Sequence, residues 1–172
     1  MQPAPPPSAV RLGDAWDLRP AAYDDPDVAR LTAEVQDYYR QIYGGTDTSP
    51  IQPGEFVPPN GLFLLGRLAG EPVAMGGWRF VSGIEALGGQ RLAEIRRMYV
   101  SSAVRRQGLA RTLLAELERT AAAAGCDVMV LATGNPQPDA VRFYRGSGYT
   151  DVPAFGHYAK EPESVHLGKR LV

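Results

Sequence analysis

The chain has a single cysteine, Cys126, and two histidines, His157 and His166, among its 172 residues. One thiol excludes an internal disulfide framework and any cysteine-cluster metal site. Cys126 stands at the start of an apolar run, where a buried structural thiol is expected rather than a nucleophile. The histidines come late and have no carboxylates arranged around them at metal-ligand spacing, so no metal is expected. Charge of one sign is missing too: 18 basic residues stand against 19 acidic ones. No bulk field therefore recruits nucleic acid or an anionic membrane. No apolar run approaches the ~20 residues of a membrane span. The N-terminus lacks the basic start and apolar stretch of a secretory signal. What remains is a chain long enough for one domain with a sizeable core, without repeats, expected to be soluble and cytoplasmic.

Residues Met1–Ser8 carry four prolines and little else. Residues 1–13 are accordingly expected to be a disordered Pro-rich tail, and 14–172 a single domain. Trp16–Arg19 reads as a short strand stopped by Pro20. Asp25-Pro26-Asp27 opens a helix whose apolar residues Val28, Leu31, Val35, Tyr38, Tyr39 and Ile42 recur at three- and four-residue spacing. Gly44-Gly45 ends it. Thr46–Asn60 is a long loop with few core candidates, of the kind that is usually functional or mobile. Leu62–Leu68 and Pro72–Val81 form a hairpin around Ala69-Gly70-Glu71, and Gly76-Gly77 marks a bulge or a close backbone approach.

The fourth strand, Arg91–Val100, contains an irregularity. Ile95 and Met98 both have core chemistry, yet residues three apart face opposite sides of a regular strand. One extra residue between them, a β-bulge, restores the phase. The alternative is an ordinary strand with Arg96 and Arg97 solvated. A second helix carries Leu109, Leu113, Leu117 and Ala121 at four-residue intervals and ends at Ala124-Gly125. Asp127–Thr133 is continuously apolar over Val-Met-Val-Leu, as in a strand buried on both faces. Pro138–Arg145 fits a short helix with Asn135 as its candidate N-cap, and strands follow at Tyr149–Val152 and Ser164–Lys169.

Between the fourth strand and the second helix runs Val100-Ser-Ser-Ala-Val-Arg105-Arg106-Gln107-Gly108-Leu109-Ala110. A strand that feeds a helix N-terminus through two arginines and a glycine is suited to a phosphorylated ligand. The first-turn N–H groups lack intrahelical partners, the helix dipole adds positive potential, and glycine puts no Cβ in the way. Gly108 is followed by Leu109 and Ala110, so this is not a Walker loop, and the G-x-G-x-x-G dinucleotide fingerprint is absent.

Arg105-Arg106-Gln107-Gly108-Leu109-Ala110 instead resembles the pyrophosphate-binding signature of the GNAT superfamily of acyl-CoA-dependent N-acyltransferases, Gln/Arg-x-x-Gly-x-Gly/Ala. Three further segments resemble that family in the same order: Ala93–Val100, Leu131–Ala140, and Ala140–Tyr149 with its Phe143-Tyr144 and Gly148-Tyr149 pairs. The resemblance implies a mixed α/β fold from about Trp16 to Leu171. Its central twisted sheet would have six to seven strands, splayed between strands four and five and flanked by helices.

It also implies an acetyl-CoA-dependent N-acetyltransferase that uses coenzyme A as co-substrate and no metal. Transfer to a primary amine would be direct, within a ternary complex. Carried over residue by residue, Met98 and Val100 would bond the pantetheine amides, and Arg105, Arg106, Gln107, Gly108, Leu109 and Ala110 would hold the pyrophosphate. An N–H of Tyr99 or Val100 would polarise the thioester carbonyl. Glu94 would be the base and Tyr144 the acid for the departing thiolate. For Glu94 the alternative is a sheet carboxylate paired with Arg79 or Arg96. For Tyr144 it is a core aromatic. Asn135 matches a position that touches the cofactor or a water. Arg142 and Arg145 lie either near the adenosine 3′-phosphate or on a solvated helix face.

The acceptor, a small-molecule or peptide amine, is not specified. Glu55, Asp47, Tyr38 and Tyr43 are candidates to meet a cationic one. A homodimer through the C-terminal strands and a catalytically silent acyl-CoA-binding module are the open alternatives to a monomer and to an enzyme.

Overall fold

The structure is a computed structural model and describes residues 15–171. The expected Pro-rich tail, residues 1–13, lies outside the described residues. One sheet of seven strands organises the rest, in the order β1-β2-β3-β4-β5-β7-β6. The strands are β1 (Trp16–Pro20), β2 (Gly61–Leu68), β3 (Glu71–Val81), β4 (Leu92–Val100), β5 (Val128–Gly134), β6 (Thr150–Asp151) and β7 (Ser164–Arg170), with helices α1 (Pro26–Tyr43), α2 (Leu109–Ala123) and α3 (Pro138–Gly146). All pairs are antiparallel except β4 with β5.

Helix α1 begins where its signals stand. The Asp25 carboxylate accepts from the Asp27 N–H at 2.8 Å, and Gly44 closes the helix in the left-handed region at φ 74°. Strand alternation sorts the apolar residues onto two faces. Leu64 and Ala74 pack with Leu113 and Leu117 of α2, whereas Phe63, Leu65 and Met75 pack with Val28, Leu31 and Val35 of α1. The β5 run is buried on both sides, Met129 and Leu131 against the α2 cluster and Val128 and Val130 against Leu92 and Phe155. Residues 46–60 hold more structure than their composition suggests: a 3-10 turn over Pro53–Phe56 buries Phe56 beside Phe63.

The expected bulge is present. Met75 pairs with Tyr99 and Gly77 with Arg96, so Arg97 and Met98 together oppose Gly76, and Arg97 takes φ 56°. Ile95 and Met98 thereby reach the same cluster. A Cβ on Gly76 would stand 3.3 Å from the Met98 Cα, the close approach that the Gly-Gly pair predicted. One cap was misassigned. Helix α3 is capped by the Gln137 backbone with no side-chain bond, while exposed Asn135 sits in the preceding turn with its N–H on the Glu163 carbonyl. The chain turns once more, Gln137 N–H to Gly134 C=O at 2.9 Å, before the helix starts.

Candidate active site

The β4–β5 ladder runs from Leu92/Val128 to Glu94/Val130 and stops there, although β4 continues to Val100 and β5 to Gly134. The bulge at Arg97 swings the second half of β4 away from its parallel neighbour. The parting leaves a strand edge able to receive an extended, amide-bearing chain. It also opens a cleft of about 730 Å³. Glu94, Met98 and Tyr144 line this cleft together, with Arg79, Arg96 and Arg97 among its other walls.

Beyond the end of β4, the segment Arg105–Gly108 is exposed and delivers α2. Gly108 is the N-cap at φ 79°, with no side-chain cap bond and no acidic residue in the first turn. The first intrahelical bond is Thr112 N–H to Gly108 C=O, at 3.2 Å. The earlier N–H groups of this turn are thus left to an external acceptor. A Cβ at Gly108 would meet nothing within 4 Å, so the space above it is open. Arg106 takes φ 66°. Arg105 donates from Nε to the Val100 carbonyl at 3.2 Å and lies over the Tyr38 ring. This occupies one of the β4 groups that the sequence assigned to the pantetheine. An open strand edge leading to an uncapped helix N-terminus with two arginines has the donor set for an amide chain ending in a pyrophosphate.

Glu94 is 8% exposed and its Oε1 accepts from Arg79 Nε at 3.1 Å and Nη2 at 2.9 Å. The pairing read as an alternative from the sequence is therefore present: Arg79 donates to Glu94 directly, and Arg96 Nη1 stands farther off at 3.9 Å. Arg79 also bridges to Glu55 Oε1 at 2.7 Å. Burial alone would lower the Arg79 pKa, but the charges and hydrogen bonds of Glu94 and Glu55 outweigh it and leave it raised. Arg96 and Arg97 are not solvated: their side chains are 10% and 7% exposed.

Tyr144 is the one buried residue of α3. Its ring packs on Phe143 and Tyr149, and burial, then the nearby Tyr39, push its pKa well above the ordinary phenol value. Tyr99 turns its hydroxyl away to donate to Glu34 at 2.9 Å, and burial followed by Glu34 pushes its pKa up to about 12. Its side chain is thus committed, and its backbone pairs with Met75 of β3. Arg142 and Arg145 are exposed and pair with Asp139 and Asp151. Cys126 is buried and burial raises its thiol to about 11, consistent with a structural role.

Two loops roof the cleft and meet above it. Tyr158 donates to Asp47 Oδ1, the Thr48 N–H donates to the Tyr158 hydroxyl at 3.0 Å, and Thr48 Oγ1 lies 3.1 Å from His157 Nε2. Burial would raise the Asp47 pKa, but hydrogen bonds from Ser49 and Tyr158 and the charge of Arg97 bring it below the ordinary carboxylate value. A smaller cavity of about 330 Å³ adjoins, lined by Tyr39, Tyr43, Glu161 and Glu163 among others. The role of Ser49, His157 and Tyr158 was not legible in the sequence. Nothing local distinguishes them from loop residues, and they meet only because segments about 110 residues apart close on each other.

Comparison with known proteins agrees with this architecture. The sequence model of the Acetyltransferase (GNAT) family matches residues 21–149. The chain belongs to that family and is an acyltransferase. The "IAA acetyltransferase" of Azospirillum brasilense is 30% identical over 144 residues, covering 84% of this chain and 90% of that protein. A crystal structure described as a putative acyl-CoA N-acyltransferase from Klebsiella pneumoniae superposes with TM-score 0.73 at 27% identity, covering 91% of this chain and 98% of that one. A GNAT family acetyltransferase from Elizabethkingia anophelis with acetyl-CoA bound shares the fold, at TM-score 0.63 and 16% identity over 92% of this chain and 99% of that one.

Proposed function

We propose that the protein transfers an acetyl group from acetyl-CoA to a primary amine, by direct attack of the amine on the thioester within a ternary complex. The observation that carries this reading is the parting of β4 from β5 beyond Glu94 and Val130, which opens towards the uncapped N-terminus of α2. The backbone of Met98 and the N–H of Val100 would hold the pantetheine arm, and an N–H of the Met98–Val100 segment would polarise the acetyl carbonyl. The segment Arg105, Arg106, Gln107, Gly108, Leu109 and Ala110 would hold the pyrophosphate through its N–H groups and guanidinium charge.

An alkylamine, with a pKa near ~10, must lose a proton before or during attack. Glu94 is the base in this reading. Arg79 occupies its Oε1, which leaves Oε2 to take the amine proton directly or through a water. The amine nitrogen forms the new C–N bond, the C–S bond breaks, and the Tyr144 hydroxyl supplies the proton of the departing thiolate. That hydroxyl carries its proton at neutral pH, as a phenol of ordinary or raised pKa does. Asn135, exposed and not the cap of α3, would contact the cofactor.

A second reading has one observation in its favour. Arg79 clamps Glu94 from one side, as expected if the chain bound acyl-CoA without turnover.

The test is CoA release from acetyl-CoA against a panel of amines, for wild type and Glu94→Gln. Release with an amine, reduced about 10²- to 10⁴-fold in the variant, supports Glu94 as base. Undiminished release in the variant removes Glu94 and keeps the enzyme. Acetyl-CoA binding without release to any amine favours the binding module.

A further inference from the structure

We infer that the acceptor carries a carboxylate beside its amine, and that Arg96 in the cleft wall is the residue that holds it. The inference rests on the acyltransferase reading and names the substrate class of the same site.

Three guanidinium groups and three carboxylates meet in this cleft, but they are not equally satisfied. Arg79 is engaged by Glu94 and Glu55. Asp47 Oδ1 already accepts from the Ser49 N–H at 2.9 Å, from Ser49 Oγ at 2.6 Å and from Tyr158. Arg96 has much less. Among the described residues its one side-chain hydrogen bond runs from Nη2 to the neutral Ser49 Oγ. Its Nη1 lies 3.9 Å from Glu94 Oε1, an oxygen that Arg79 holds twice. Arg97 adds to the surplus of donors: its buried Nε and Nη1 have no hydrogen-bond partner, with Asp47 Oδ2 at 3.3 Å from Nη1.

A guanidinium has five N–H donors, and burying its charge with few of them satisfied is costly. Burial first, then the charge of neighbouring Arg79, lowers the Arg96 pKa despite Glu94. Among the described residues, the Arg96 and Arg97 guanidinium groups therefore keep N–H donors without a hydrogen-bond partner on the cleft wall, the complement of an anion. A carboxylate fits the planar fork of Arg96. Glu94 and Arg96 are two residues apart on β4, so their side chains share a face. The Oε2 of Glu94 receives no hydrogen bond among the described residues, which leaves it for the amine. An amine placed at Glu94 and a carboxylate at Arg96 describe an amino acid or a short amino carboxylic acid.

The experiment measures acetyl transfer from acetyl-CoA to amino acids, each paired with its own carboxamide, together with a set of diamines. Wild type, R96Q and R96K are compared, and acetyl-CoA binding by calorimetry is recorded for each. The wild type is expected to prefer acid over amide by roughly 30- to 100-fold in kcat/KM, the scale of a buried charge-assisted pair. R96Q should erase that preference, and R96K should keep part of it, retaining the charge without the fork. The ratio within wild type decides the matter even if R96Q fails to fold. Equal or better transfer to amides or diamines, or transfer to no acid in the panel, overturns the carboxylate subsite and leaves the acyltransferase reading intact. Absence of acetyl-CoA binding by the wild type overturns that reading itself.

Discussion

Replacing Gly108 by alanine separates a ligand effect from a folding effect, because the structure supplies a matched control. Gly108 has φ 79° and Gly70, in the β2–β3 hairpin, has φ 83°; a Cβ at either would meet nothing within 4 Å. Neither substitution therefore creates a clash, and each costs only the left-handed backbone strain of an L-residue, about 1–2 kcal/mol. Alanine also restricts the unfolded chain, which returns about 0.4–1 kcal/mol. The net loss is about 1 kcal/mol at each site, or roughly 2–4 °C in Tm for a chain of this size. Thermal melts of the ligand-free variants should be alike.

Coenzyme A binding should not be alike. The Gly108 Cβ would occupy open space at the N-cap of α2, beside which the pyrophosphate is proposed to lie. Losing one or two charge-assisted bonds, at about 1.5–3 kcal/mol each, weakens Kd by at least tenfold. Gly70→Ala should bind as wild type does, as read by titration calorimetry with CoA. Equal affinity in both variants would refute the placement of the pyrophosphate on this helix.

Two further outcomes follow from the buried groups. Tyr144→Phe removes one hydroxyl and preserves the packing on Phe143 and Tyr149, so kcat should fall about 10²-fold while the Kd for acetyl-CoA stays put. A kcat within threefold of wild type would make Tyr144 a core aromatic only. His166 is buried against Phe155 with Nε2 unpartnered, and burial lowers its pKa below the ordinary 6.5. The unfolded chain then binds the proton more readily than the native one. The stability it contributes is fully present above pH 6.5 and is lost as pH falls through the depressed native value. Tm should drop between pH 7.5 and 5 less steeply in His166→Gln than in wild type; parallel slopes would exclude His166 as the cause.

The elements legible in the sequence were those whose cause is local. Asp25, Pro26 and Gly44 bound α1 through groups within a turn of the helix ends, and the strand placement followed from apolar spacing. The bulge in β4 was readable because Ile95 and Met98 cannot share a face without it. Where a local signal had two satisfactory uses, sequence reasoning went astray. Asn135 can cap a helix, but the turn from Gly134 to Gln137 delays the helix start and leaves Asn135 exposed.

Apolar spacing, capping signals and glycine freedom by themselves determined the order of strands and helices and the strand-to-helix junction before α2, since each acts over a few residues. The tertiary structure alone decided which charges face one another. The alternative of solvated Arg96 and Arg97 is closed by Ser49 and Asp47, which meet these guanidinium groups from the loop over residues 46–60. Glu94 read as a base or a partner until Arg79, on the neighbouring strand, took one of its oxygens. Burial and pairing depend on segments far apart in the chain, and a charged residue has the same local signature whether it ends in water or against a partner.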